Sequence, residues 1–206
     1  MSALIDYGLG NVFSLCSSLK SIGLTAKVTR SAADLESATH LILPGVGAFG
    51  DAMQKLAATG LVPTIKAQVA AEKPLLGICL GMQLLFDTSY EYGVHTGLQL
   101  ISGEICPLET DLRAAGYAYK LPHMGWNALQ IAQPQNALLQ NVKQGEAVYF
   151  VHSFYAKNCE KSIVATSEYG VSVPAIVAKN KVYGCQFHPE KSGKTGLAIL
   201  HAFAQI

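Results

Sequence analysis

Two short runs carry residue types that can do nucleophilic and acid–base chemistry together. The first is Gly77-Ile78-Cys79-Leu80-Gly81, set inside the apolar stretch PLLGICLGMQLLF from Pro74 to Phe86. Glycines two residues either side of a cysteine, between a strand-like run and a run with helical spacing, fit a nucleophile elbow. Such a turn crowds the neighbouring backbone, which glycine tolerates because it has no Cβ. A helix start just after the cysteine favours thiolate over thiol. The second run is Gly184-Cys185-Gln186-Phe187-His188-Pro189-Glu190, at the end of the apolar stretch KVYGCQF. In an extended chain His188 and Glu190 point to one face, and Pro189 is expected to keep the segment from curling into a helix. A carboxylate beside an imidazole holds the tautomer and stabilises the imidazolium formed when the ring takes a thiol proton.

Each run alone has a plainer reading. A free cysteine in an apolar strand is usually core, and a His-Pro-Glu run reads equally as a surface turn with a solvated acid. Taken together they form a Cys79–His188–Glu190 triad. Cys16, Cys106, Cys159 and Cys185 show no paired spacing. His40, His95 and His201 lack ligand spacing with any cysteine or carboxylate, so no metal site and no cofactor are expected. His152 is a weaker candidate by position.

GICLGMQ with QFHPE resembles the class I, triad-type glutamine amidotransferases, which hydrolyse glutamine to glutamate and ammonia. The likeness covers essentially the whole chain. It takes in LIDYGLGN (Leu4 to Asn11), LPGVGAFGDAM (Leu43 to Met53), LPHMGWN (Leu121 to Asn127) and YFVHSFYA (Tyr149 to Ala156). The last three segments resemble the glutaminase subunits of imidazole glycerol phosphate synthases, in histidine biosynthesis, with HMGWN the most specific piece. The resemblance implies a heterodimer with a (β/α)8-barrel cyclase subunit that consumes the ammonia. It places the oxyanion hole at the Leu80 N–H and the Gly45, Val46 and Gly47 segment. For glutamine recognition it carries over Gln83 and Glu91, with backbone contacts from Gly47, Ser153 and Phe154. Met124 and Trp126, with Asn11 and Lys191 beside them, become the partner face. The family often has an acidic pair where this chain has Tyr90-Glu91, and Tyr where it has Phe154.

Gly45-Val46-Gly47-Ala48-Phe49-Gly50 is also a literal G-x-G-x-x-G between a strand and a helix. A dinucleotide site needs an acidic residue at the end of the next strand. Here that strand ends at Cys79, which leaves a tight turn or an oxyanion strand as the better readings. Two further functions stay open. One is an amidotransferase subunit serving anthranilate or pyridoxal phosphate synthesis, against which HMGWN weighs. The other is a redox-sensing α/β binding protein, which has no need of an ordered His–Glu pair.

The elements that must position these groups follow from patterning. Strands are expected at Ala3–Asp6, Lys27–Thr29, His40–Leu43 and Leu75–Cys79, with helices at Val12–Ile22, from Asp51, and from Cys79 to about Phe86. Shorter strands are expected at Leu98–Ile101, Ala147–Val151, Ile163–Thr166, Ala175–Ala178 and Lys181–Phe187, before a helix over Thr195–Phe203. Early alternation of strand and helix predicts a three-layer α/β/α fold with a mainly parallel central sheet. One domain over residues 1–206 is expected, with Thr110–Tyr119 as a surface excursion. Half the residues are hydrophobic and only 14% charged, against about 25% in a typical domain, so a partner is expected to cover some apolar surface. The net charge of +1 without a basic cluster argues against nucleic acid. The lack of a long apolar run argues against a membrane. Unpaired cysteines without a signal peptide point to the cytoplasm.

Overall fold

A computed structural model describes residues 1–206. The elements in chain order begin with β1 (Ser2–Ile5), α1 (Val12–Ser21), β2 (Ala26–Thr29), α2 (Ala32–Ser37), β3 (His40–Leu43), α3 (Phe49–Ala58) and α4 (Val62–Ala70). Next come β4 (Leu75–Ile78), α5 (Leu80–Gln83), β5 (Thr88–Ser89), β6 (His95–Thr96), β7 (Glu104–Pro107), α6 (Leu108–Ala114) and β8 (His123–Ile131). The chain finishes with β9 (Ala147–His152), β10 (Phe154–Lys157), β11 (Ile163–Glu168), β12 (Ser172–Lys179), β13 (Val182–Cys185) and α7 (Gly193–Phe203).

Nine strands form the central sheet in the order β2-β1-β3-β4-β13-β12-β11-β8-β9. It is parallel from β2 through β13 and antiparallel from there to β9. Its inner parallel strands, β1, β3, β4 and β13, are short apolar runs that bury both faces, as helix-covered strands must, whereas the edge strand β2 is half exposed. Alternate side chains enter different cores. Ala3, Ile5, Leu41, Leu43 and Leu75 pack with Leu35, Phe49, Leu56 and Ile65 from α2, α3 and α4. Leu4, Ile42, Leu76 and Ile78 pack with Leu15, Leu19, Ile199 and Phe203 from α1 and α7. Two helical layers on opposite faces follow from that period-2 division.

A second, four-stranded sheet runs β10-β7-β5-β6. Leu98–Ile101, expected as a strand, is instead a packed loop. Its amides bond to the carbonyls of Leu84, Leu85 and Phe86, and Leu98 and Ile101 are buried, so an apolar run served the core without pairing. The HMGWN segment opens a nine-residue strand, β8.

Candidate active site

The cysteine elbow arises where β4 stops at Ile78 and α5 begins at Leu80. Cys79 lies between them at φ 54°, ψ −113°, a backbone region that costs a non-glycine residue roughly 1–3 kcal/mol. The flanking glycines allow it. A Cβ on Gly77 would sit 2.6 Å from the Gly81 carbonyl oxygen, and one on Gly81 would collide with the Leu43 carbonyl. The helix that follows has only four residues, not the longer one expected to Phe86, so its dipole gives Cys79 little support. A buried amide lies nearer: Gln186 Nε2 is 4.0 Å from Cys79 Sγ.

The histidine comes from the adjacent strand. β13 runs parallel to β4 with Cys185 opposite Ile78, and the Cys79 N–H bonds to the Cys185 carbonyl at 2.8 Å. His188 follows three residues later, and its Nδ1 lies 2.9 Å from Glu190 Oε1. Contrary to the extended segment expected, Pro189–Lys191 is one 3₁₀ turn. Proline is suited to the first helical position, where its missing N–H leaves no bond unmade. The turn still brings Glu190 under the ring. Burial disfavours the charged ring, but hydrogen bonds and charge from Cys79 and Glu190 outweigh it and raise the His188 pKa to about 10. Cys16, Cys106, Cys159 and Cys185 all have thiols pushed up by burial, Cys159 to about 12.

Cys79 and His188 open into a cleft of about 460 Å³. Val46, Gly47, Leu80, Gln83, Glu91, Ser153, Phe154, Asn11, Lys191 and the weaker candidate His152, all singled out from sequence, line it together with Tyr92, Pro122 and Val151. Gly45 lies just behind, where a Cβ would come within 2.6 Å of the Gly81 amide nitrogen. The amides of Gly45, Val46 and Gly47 donate no hydrogen bond within the chain, and Gly47 takes φ +100°. Donors without acceptors beside a thiol suit a developing oxyanion.

Two polar side chains in the cleft are anchored. Gln83 Nε2 donates to the Phe154 carbonyl and to Gln186 Oε1, each at 3.0 Å. Glu91 Oε2 accepts the Phe49 N–H at 2.6 Å, at the start of α3. Burial raises the Glu91 pKa, and that hydrogen bond opposes the shift. Oε1 accepts no bond within the chain and is available to a cation. Met124 and Trp126 stand outside the cleft on β8, 60% and 57% exposed, two residues apart and hence on one face. Lys191 Nζ lies 5.9 Å from the Tyr149 ring centre, and Trp126 packs edge-on to the same ring. Gln186 and His123 were missed from sequence. Gln186 sits inside the QFHPE run but reads as an ordinary strand residue until β13 is placed beside β4. No group of three His, Cys, Asp or Glu side chains is arranged to hold a metal ion, and no helix is long and apolar enough to cross a membrane.

A family model described as "Glutamine amidotransferase class-I" matches residues 3–205. The chain is 45% identical to the imidazole glycerol phosphate synthase subunit HisH of Caldanaerobacter subterraneus subsp. tengcongensis, over 100% of this chain and 98% of that one. It is 48% identical to the subunit of the same name from a Geobacillus species, over 100% and 97%. Among solved structures, PurLQS from Thermotoga maritima shares the fold with a TM-score of 0.75 at 18% identity, covering 99% of this chain and 97% of that one. The glutaminase domain of Trypanosoma brucei CTPS does so at 0.65 and 14%, covering 99% and 93%.

Proposed function

Since this chain belongs to the class-I glutamine amidotransferases, we propose that Cys79, His188 and Glu190 are the groups that split the glutamine side-chain amide. The chain is a glutaminase subunit of imidazole glycerol phosphate synthase, hydrolysing glutamine to glutamate and ammonia for a synthase subunit in histidine biosynthesis. The observation that carries the triad is the meeting of two neighbouring parallel strands. One delivers Cys79 on a strained elbow, and the other delivers His188 already bound to Glu190.

With the His188 pKa raised to about 10, the thiol proton already sits on that ring when Sγ attacks the amide carbon. The Leu80 amide and one from the Gly45–Gly47 segment receive the oxyanion. Collapse breaks the C–N bond while His188 returns the proton to nitrogen, releasing ammonia and leaving a thioester. Water then attacks, giving its proton to His188. The C–S bond breaks, glutamate leaves, and free Sγ beside protonated His188 is restored. Glu190 keeps the ring oriented throughout. Ser153 and Phe154 present backbone to the substrate, Gln83 lines its path, and Glu91 Oε1 meets its ammonium. The face bearing Met124, Trp126, Asn11 and Lys191 docks a (β/α)8-barrel cyclase, and residues 1–206 act as one glutaminase domain.

Cys79→Ala tests the reading directly. Glutamate release should vanish while the circular dichroism spectrum is kept, and an electrophilic glutamine analogue should label Cys79 alone. Normal glutamine turnover by the variant would sink the mechanism.

A further inference from the structure

From His152 in the wall of the cleft a polar chain that none of these steps uses runs through buried His123 to Asn127 on β8. His152 Nδ1 lies 2.9 Å from the Phe154 carbonyl oxygen. His152 Nε2 lies 3.0 Å from His123 Nδ1, and His123 Nε2 lies 2.9 Å from Asn127 Oδ1. The Asn127 amide cannot turn round without loss, because its Nδ2 donates to the Glu168 carbonyl at 3.0 Å. His123 is fully buried, sandwiched between the rings of Phe150 and Tyr169.

Both ends of this chain are oxygens that can only accept. Three contacts therefore need three protons, and two neutral imidazoles carry two. A third proton would make one ring cationic. Burial lowers both pKa values, that of His152 to about 3 with help from the charges of His123 and His188, so the pair is neutral at pH 7. The titratable groups around it are the Tyr169 ring on His123, and His188 with its partners Cys79 and Glu190 on the His152 side. No carboxylate bonds to either ring.

One contact must go without its proton. An empty end contact is eased, because Asn127 is partly exposed and the Phe154 carbonyl already accepts from Gln83. An empty centre sets two lone pairs against each other at 3.0 Å between buried rings, so the rings keep that proton and share a tautomer. With both protonated at Nδ1, the Phe154 carbonyl is held and Asn127 is not. With both protonated at Nε2, Asn127 is held and the Phe154 carbonyl is not. Passing between the states moves the central proton from His123 Nδ1 to His152 Nε2. Water takes the proton from His152 Nδ1 and supplies one to His123 Nε2, keeping the total at two.

The Phe154 carbonyl is also the acceptor for Gln83 Nε2 at 3.0 Å, and Gln83 leads through Gln186 to the nucleophile. We propose that His123 and His152 are one positioning unit for the glutamine pocket, whose shared tautomer decides whether the Phe154 carbonyl is fixed for Gln83 and substrate or released in favour of Asn127 on β8. The proposal deepens the amidotransferase reading and rests on it for the identity of the ligand.

Imidazole ¹⁵N shifts of the full-length labelled chain report each tautomer without any turnover. Both rings should carry the proton on the same nitrogen, and Asn127→Leu should drive both toward Nδ1–H. In the assembled synthase, His152→Ala should raise KM for glutamine about tenfold, the equivalent of one hydrogen bond, with kcat within about twofold. His152→Asn, whose amide N–H can occupy the place of Nδ1–H, should recover most of that loss. Opposite tautomers in the two rings would overturn the proposal. So would an unchanged KM in a folded His152→Ala. If that variant fails to fold, the shifts and His152→Asn decide. A wild-type chain with matched tautomers and no glutaminase activity would instead count against the amidotransferase reading.

Discussion

His188 and Glu190 meet at 2.9 Å with their side chains only 4% and 2% exposed, which makes the pair an interior one although the histidine serves an open cleft. Glu190 Oε2 has no hydrogen-bond partner, so the carboxylate is committed to the ring through one oxygen. Glu190→Gln keeps the shape and removes the charge. It should lower kcat by about 10²-fold, with KM for glutamine nearly unchanged. His188→Asn should cost more, since it removes the proposed proton carrier itself. A glutamate-release assay on the two variants in the assembled synthase orders them.

Histidines of opposite character should bracket the pH of greatest stability. The folded His188 pKa is raised to about 10, so its contribution is complete below the unfolded value of 6.5 and is lost as pH rises through 10. His152 is the reverse case. Its folded pKa is lowered to about 3, so below 6.5 the unfolded chain binds the proton and the folded chain resists it, and stability is lost as pH drops from 6.5 toward 3. Thermal unfolding followed from pH 4 to 10 should peak near 6.5. His188→Asn should flatten the alkaline limb of that curve and leave the acid limb in place.

The glycines of the elbow differ sharply from those of the surface. Gly81→Ala places a methyl in the Leu43 carbonyl, at the join of β3 and α5, and should destabilise the fold by about 3 kcal/mol or leave it insoluble. Gly116→Ala meets no atom within 4 Å but must hold φ +80°, and should cost only about 1 kcal/mol. Urea unfolding midpoints separate the two.

Trp126 and Met124 bury little of their surface in the isolated chain. Trp126→Ala should weaken association with the synthase subunit by about 2 kcal/mol, as loss of an aromatic anchor does, and leave the melting temperature of the isolated chain almost unmoved. Calorimetric titration of the purified subunits measures it. Unchanged affinity would remove this face from the interface.

The Gly45, Val46 and Gly47 amides lack acceptors, so their orientation is weakly held. The isolated chain should therefore hydrolyse glutamine poorly and be stimulated by the ligand-loaded synthase, mainly in kcat. Full activity of the isolated chain, unaltered by the partner, would refute that control and leave the triad standing.

What the sequence made legible was local chemistry. Gly77, Gly81 and Cys79 announce the elbow because the steric demand of the turn falls on residues two apart. The parallel strands were readable because apolar runs as short as HLIL and LLGI can satisfy two cores only as buried strands. The four-stranded sheet was not, since β5 and β6 have two residues each and no period can be seen in so short a span. β8 was masked by Met124 and Trp126, which put apolar side chains on the solvent side and invert the usual alternation. The roles of Gln186 and His123 depend on strands brought together from distant parts of the chain, and composition carries no trace of them.

β13 comes last of the thirteen strands in chain order, yet it lies near the middle of the sheet, between β4 and β12. A nascent chain that has not yet released Val182–Cys185 from the ribosome has two unpaired interior edges and no His188 in reach of Cys79. The proposed catalytic competence is thus acquired only with the segment that carries β13 and His188, in the same event that closes the sheet. Truncation products lacking the C-terminal segment should be inert and prone to self-association through the exposed edges of β4 and β12, with no intermediate that consumes glutamine before the fold is complete.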